Sequence, residues 1–330
     1  MQNRQIKFLT RISLFILIFF FQGCMFANMS LFHDYTDPLD EYVLEGKDSG
    51  KILLISIDGI IKDDTEEDLL ASKPNMIEEI VAQLKKAEKD KQVKGIVVKI
   101  NSPGGTVTAS DIIYKELMDY KTRTNSSIVI SMMDIAASGG YYIALAGDYI
   151  MAHPTTITGS VGVIMMQPEI SGLMTKLGLS VKACKSGENK DMGSPFRENT
   201  KEEQAMFQNI TDGLAKQFIN IVAERRKLDK NKIKEISTAR IYIAEDALKI
   251  GIIDEIGYLK DAIAKAKKLA GLNQESKLVV YRRTEYPNDN IYNISNSYKN
   301  KKIPLADFGF LGYLRNLKSG FYYIWLGNDQ

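Results

Sequence analysis

Three short, almost unbroken apolar runs restrict this chain to a small set of folds. Ile52-Leu53-Leu54-Ile55-Ser56-Ile57, Gly95 to Ile100 and Ser127 to Met132 each have the length of a strand and no polar face. Strands buried on both sides of a sheet read this way. Between the first two, Ile77, Ile80, Val81 and Leu84 recur at three- and four-residue spacing from Met76 to Lys91; after the second come Ile112, Ile113, Leu117 and Tyr120. That is the stripe of an amphipathic helix. Alternating strands and helices predict an α/β fold, a mainly parallel sheet with helices packed on it. Further strands are expected at Tyr149 to Ala152, Val161 to Met166 and Lys277 to Tyr281. A long helix is expected from Lys201, and a last helical unit from Ala244 to Leu269.

Two glycine-bearing turns interrupt this pattern. After the second strand, Asn101-Ser102-Pro103-Gly104-Gly105-Thr106-Val107 leads into a helix. Backbone amides there can face an anion at the positive end of the helix. The segment lacks both the Gly-Lys-Ser/Thr ending of a phosphate loop and the three-glycine spacing of a dinucleotide site. An oxyanion hole and a plain strand-to-helix turn remain open. After the third strand, Ala136-Ala137-Ser138-Gly139-Gly140-Tyr141-Tyr142 sets a hydroxyl among small residues at a helix start. Ser138 there is either a helix cap or a nucleophile that a carbonyl carbon can approach, with the Gly139 amide sharing the developing oxyanion with Gly105. A serine nucleophile needs a base, and the chain has two histidines. His33 lies near the N-terminus and His153 precedes Pro154 in a structural setting, so a lysine partner is the natural alternative.

These residues resemble the signal peptide peptidase A family of Ser/Lys-dyad serine peptidases. The resemblance rests on Asn101 to Val107, Ala137 to Tyr142, Thr158-Gly159-Ser160-Val161-Gly162-Val163 and Lys185-Ser186-Gly187-Glu188-Asn189-Lys190-Asp191, in that order. Ile243 to Ala247 and Gly251 to Gly257 add to it, and it covers Lys51 to Leu272. It implies a ClpP/crotonase-like fold and an endopeptidase that degrades remnant signal peptides and other unfolded peptides. By the same resemblance Ser138 is the nucleophile, Lys190 the base, Ser160 the hydroxyl that orients the lysine, and Gly105 an oxyanion donor beside Gly139. It also implies a homo-oligomeric ring or dome, in which Ser138 of one subunit can work with Lys190 of its neighbour. No metal or other cofactor is expected. A lysine ordinarily titrates near ~10.4, so a base working near neutrality needs a depression of roughly three units, which burial can supply.

The ends of the chain suggest where such an enzyme would work. Arg4, Lys7 and Arg11 precede an apolar stretch from Ile12 to Phe21. This is the layout of a signal peptide and too short for the ~20 residues of a membrane span. Gly23-Cys24 follows, so Cys24 is a candidate lipidation site; residues 1–23 would then be removed and 24–50 would tether the domain 51–272 to the membrane. The expected location is the extracytoplasmic, periplasmic face of a bacterial membrane. Cys184, in an apolar-flanked run, is expected to be a buried inert thiol. Residues 273–330 read as a connector followed by a helix carrying Leu314, Leu317, Phe321, Ile324 and Trp325 on one face. With 43 basic against 41 acidic residues the net charge of +2 gives no field for nucleic acid. Two rival readings share parts of this pattern. An acyl-CoA enzyme of the crotonase type has the fold and the paired amides but is cytoplasmic and lacks Lys190, and a tethered scaffold would keep the fold without the intact Ser138, Lys190 and Ser160.

Overall fold

The computed structural model describes residues 38–64, 67–68, 71–72, 74–286, 288–293 and 319–326. The expected signal peptide, Cys24 and His33 lie outside them. In chain order the first elements are β1 (Asp40–Glu45), β2 (Asp48–Asp58), the short pair β3 (Glu67–Asp68) and β4 (Ala71–Ser72), α1 (Met76–Lys89), β5 (Val93–Ser102) and β6 (Gly104–Thr106). Then follow α2 (Val107–Thr124), β7 (Ser127–Ala137), α3 (Gly139–Ala144), β8 (Tyr149–Ala152), β9 (Ile157–Gly159), β10 (Ile164–Met166) and α4 (Ser171–Lys176). A 3-10 turn at Glu188–Asp191 precedes α5 (Lys201–Arg226), α6 (Lys230–Ile236), β11 (Ile241–Ile243), α7 (Ala244–Ile250), β12 (Glu255–Ile256), α8 (Leu259–Leu269), β13 (Ser276–Arg282) and β14 (Gly320–Ile324).

The large sheet runs β1-β13-β2-β5-β7-β8-β12, with β9 pairing to the far half of β7 and to β11. Every pair from β13 through β12 is parallel, as is β7 with β9. This mainly parallel sheet with helices on both faces meets the ClpP/crotonase-like expectation. Alternation along each strand divides the core in two. Leu53, Ile55 and Ile57 of β2 join Val98 and Ile100 of β5 against Ile80, Leu84, Ile113 and Leu117 of α1 and α2. Ile52, Leu54 and Val97 face the other way, against Leu259 and Ile263 of α8. Burying each such side chain contributes about 1.5–3 kcal/mol. Helix α1 starts where Asn75 and Glu78 close a reciprocal capping box, and α2 stops where Asn125 turns left-handed at φ 54°.

Four expectations need correction. Residues 40–45 and 48–50 are strand rather than tether, because Asp40–Glu45 adds an antiparallel edge to β13. The unit from Ala244 to Leu269 is two helices, since Gly251 breaks it at φ 90° and β12 intervenes. The strand expected from Val161 covers only Ile164–Met166. The aromatic tail is not helical where it is described: Gly320–Ile324 is a strand, sandwiched antiparallel between β6 and β10. Its run of aromatic and β-branched residues carries high strand propensity, and two partners offer it a ladder. Leu314 and Leu317 lie outside the described residues.

Candidate active site

Parallel strands end together, so the residues that follow β5, β7 and β9 meet at one edge of the sheet. Ser102 pairs with Ala136, and Ala137 with Gly159. One step beyond that register stand Ser138 and Ser160, and the Ser138 amide donates to the Gly159 carbonyl at 2.8 Å. Ser138 takes φ 53°, ψ −112° at the turn from β7 into α3. A left-handed φ is uncommon for a residue bearing a Cβ, and such strain concentrates at functional sites. The side chain is only 1% exposed, and its Oγ is buried without a hydrogen-bond partner. The turn does not use this hydroxyl as a cap. Ser160 is also buried and left-handed, at φ 52°, and its amide donates to the Arg240 carbonyl at 2.8 Å on β11's side.

The glycine turn packs directly on the serine turn. Gly104 has φ 107°, and a Cβ placed on it would stand 2.7 Å from the Gly139 nitrogen and collide with the Tyr323 carbonyl oxygen. On Gly105 a Cβ would collide with the Ile61 carbonyl. The Gly104 carbonyl accepts from the Ile61 amide, and the Thr106 amide donates to the Ile61 carbonyl, both at 2.9 Å. Gly139 opens α3, so its amide has no preceding helical carbonyl to reach. Gly105 and Gly139 therefore belong to two turns in contact around Ser138, the arrangement that can hold a developing oxyanion.

Lys190 stands apart. It is exposed on the 3-10 turn Glu188–Asp191, where its amide donates to the Gly187 carbonyl, and it makes no hydrogen bond to Ser138. The burial that a neutral lysine needs is missing from the single chain. Its turn is nevertheless firmly held. Arg197 bridges Asp191 at 2.8 Å and Glu203 at 2.5 Å, and Lys185 binds Asp191 at 2.7 Å. Hydrogen bonds from Arg197 first, then Lys185, hold the Asp191 carboxyl below its usual range. Arg197, and then the Thr200 amide, hold Glu203 down to about 2.

Among the described lysines, the one that burial pushes below its ordinary value is Lys99, with Asp58 partly opposing. Sequence reading passed it over. Strand alternation places it on the Val97 side of β5, opposite Val98 and Ile100, and its Nζ donates to the Tyr292 carbonyl at 3.3 Å. It faces away from α3. The position of Lys99 inside a strand of core residues is a signal the sequence did contain. His153 is occupied locally, its Nδ1 2.8 Å from the Thr155 hydroxyl and its ring edge-on to Tyr258. Cys184 is exposed, against expectation, because its segment lies on none of the core elements.

A profile of Peptidase family S49 matches residues 121–273. A candidate signal peptide peptidase SppA of Enterococcus faecium is 37% identical over 259 residues, 78% of this chain and 73% of that protein. Protease 4 of Haemophilus influenzae is 30% identical over 82% of this chain and 43% of its own length. The chloroplastic serine protease SPPA of Arabidopsis thaliana is 30% identical over 62% of this chain and 30% of its own. The chain thus spans less than half the length of the last two.

Proposed function

Since this chain belongs to peptidase family S49, the family of the SppA signal peptide peptidases, and is a serine-type peptidase, we propose that Ser138 is its nucleophile. The observation that carries this reading is the Ser138 hydroxyl itself, fully buried, without a partner and held at positive φ on a strand-to-helix turn. A buried hydroxyl left unbonded calls for a reason, and attack on a peptide carbonyl supplies one.

In the proposed reaction Oγ adds to the scissile carbonyl carbon while a base takes the hydroxyl proton. The oxyanion is met by the amides of Gly105 and Gly139. The proton passes to the leaving amine, and water then cleaves the acyl-serine by the reverse sequence. Lys190 is the proposed base and Ser160 the hydroxyl that orients it. Because Lys190 is exposed and unpaired with Ser138 in one chain, a neighbouring copy is the proposed source of the lysine and of its burial. The exposed apolar side chains of Leu173, Leu177, Leu179, Val181, Phe196, Met206 and Ile210, all between α4 and the first half of α5, favour such an assembly.

The substrates proposed are remnant signal peptides and other unfolded peptides, reached from the extracytoplasmic side by an enzyme tethered through Cys24. No described helix is long and apolar enough to cross a membrane. The test is cleavage of a synthetic signal peptide together with labelling by a fluorophosphonate. Label on Ser138, and loss of both signals in Ser138→Ala, is expected. Undiminished hydrolysis by that variant would end the assignment.

A further inference from the structure

Two fully buried hydroxyls flank the glycine turn, at Ser102 and Ser110. Ser102 ends β5, and its Oγ accepts from the Gly104 amide at 3.1 Å. Ser110 lies in the first turn of α2, and its Oγ donates to the Thr106 carbonyl at 2.9 Å, four residues back along the chain. Serines inside helices often make this back-bond, and its usual consequence is local. Here the bond also fixes the hydroxyl at the place where the serine turn passes α2. On Gly139, the residue after the proposed nucleophile, a Cβ would collide with the Ser110 Oγ and would stand 3.1 Å from the Gly104 Cα. On Gly140 a Cβ would stand 2.8 Å from the Ser102 carbonyl oxygen. The two glycines that open α3 are therefore each backed by one of the two serines.

The two amides assigned to the oxyanion are held by different means. The Gly104 carbonyl accepts from the Ile61 amide at 2.9 Å, and in a trans peptide the Gly105 N–H must point the opposite way, away from Ile61. One donor is thus aimed by a backbone bond on its own peptide unit. The Gly139 amide has no helical carbonyl to reach, and its residue has the freest backbone of any. What keeps Gly139 from moving toward α2 is the Ser110 hydroxyl, and the Thr106 carbonyl keeps that hydroxyl from turning aside.

We propose that Ser110 is a positioning residue of the reaction, its hydroxyl the spacer that sets the Gly139 amide at working distance from the Gly105 amide. The inference rests on the reading of Ser138 as nucleophile with these two amides as oxyanion donors. Such donors act when they stand ~2.7–3.1 Å from the developing oxyanion. A misplacement of about 1 Å costs on the order of 10²-fold in rate. Removing the hydroxyl leaves a gap of one oxygen atom beside a glycine that is free to relax into it. The oxyanion exists only beyond the bound ground state, so the loss falls on kcat and spares KM.

The test compares the full chain with its Ser110→Ala variant on a peptide substrate and with a peptide aldehyde, whose hemiacetal with serine places an oxygen in the hole. Expected is a kcat lower by roughly 10- to 100-fold, KM within about twofold, and aldehyde affinity reduced by the same factor as kcat. Supplying the missing volume from the other side tests the spacer directly. Gly139→Ala alone should be nearly inactive, because its Cβ meets the Ser110 Oγ. In Gly139→Ala combined with Ser110→Ala that collision is gone, and kcat should exceed that of Gly139→Ala by at least about tenfold. A serine that only supports the fold would lower the melting temperature and leave kcat and aldehyde affinity alone. Parental kcat in a folded Ser110→Ala protein, or no recovery in the double variant, overturns the proposal. Should Ser110→Ala not fold, Ser110→Cys decides: its larger sulfur presses on Gly139, so kcat should fall with KM kept, and a parental kcat overturns the proposal equally. Fluorophosphonate label on Ser138 of the parent separates the two readings. With that label present, a parental rate in Ser110→Ala removes the spacer alone; a parent that takes no label ends both.

Discussion

Ser138, Gly104 and Lys99 carry different amounts of information in the bare sequence. Ser138 was legible because small residues surround it between a buried strand and a helix; its positive φ and unbonded Oγ belong to the fold and have no sequence signal. Gly104 is required at its position by φ 107° and by the nearness of Gly139. Gly104→Ala is expected to cost about 1–3 kcal/mol in backbone strain. By pushing the two turns apart it should also lower kcat on a peptide substrate by roughly 10²-fold or more, the scale of a lost oxyanion donor; a thermal melt and a rate assay check both. For Lys99 the run of core residues around it marks the position, while the depth of its amine belongs to the fold. Burial lowers its pKa, so the unfolded chain holds more protons than the native one, and stability should rise with pH between the depressed value and the ordinary 10.5. Lys99→Met should flatten that rise and leave the protein as stable or more so at pH 7, as urea melts across pH would register.

At the scale of elements, strands and helices with a clean period were readable, and the failures fell where one element serves two patterns. Phe321, Ile324 and Trp325 fit a helical stripe by spacing, yet Gly320–Ile324 extends because β6 and β10 offer it two ladders, a circumstance fixed 150 residues or more away in sequence. The segment from Lys185 to Glu203 shows the same dependence on partners. It has almost no core contact, and Arg197 ties its turn to the start of α5 through Asp191 and Glu203. Both carboxyls titrate below their ordinary values, so the stabilisation they give is fully present above about pH 4.5 and fades as pH falls toward about 2. Arg197→Met should therefore raise amide exchange across 185–203 at pH 7, with the difference shrinking in acid and also at high salt, which screens exposed pairs. A difference unmoved by high salt, and undiminished once pH has fallen below the depressed values of both carboxyls, would show that packing of the arginine stem, not its charge, holds the turn.

For the whole molecule, the proposed assembly joins a buried serine to a lysine that its own chain leaves in solvent. Two outcomes follow. Ile210→Glu with Met206→Glu, placed on the exposed face of α5, should yield smaller particles in analytical ultracentrifugation and little peptidase activity, while the fold by circular dichroism is kept. Mixing Ser138→Ala with Lys190→Ala subunits should restore part of the activity that neither has alone, since some interfaces unite an intact serine with an intact lysine. Restored activity that never appears in verified mixed particles would put both residues in one chain. The small sheet has a consequence for solubility as well. Strands β6 and β10 face one another across the width of a single strand, and β14 saturates both hydrogen-bonding edges at once. Were it absent, two naked edges would point into one slot, and unpaired edges are templates on which foreign chains stack. Clipping the tail should thus make the protein sticky toward its own copies, so that the segment that completes the small sheet also guards the molecule against aggregation.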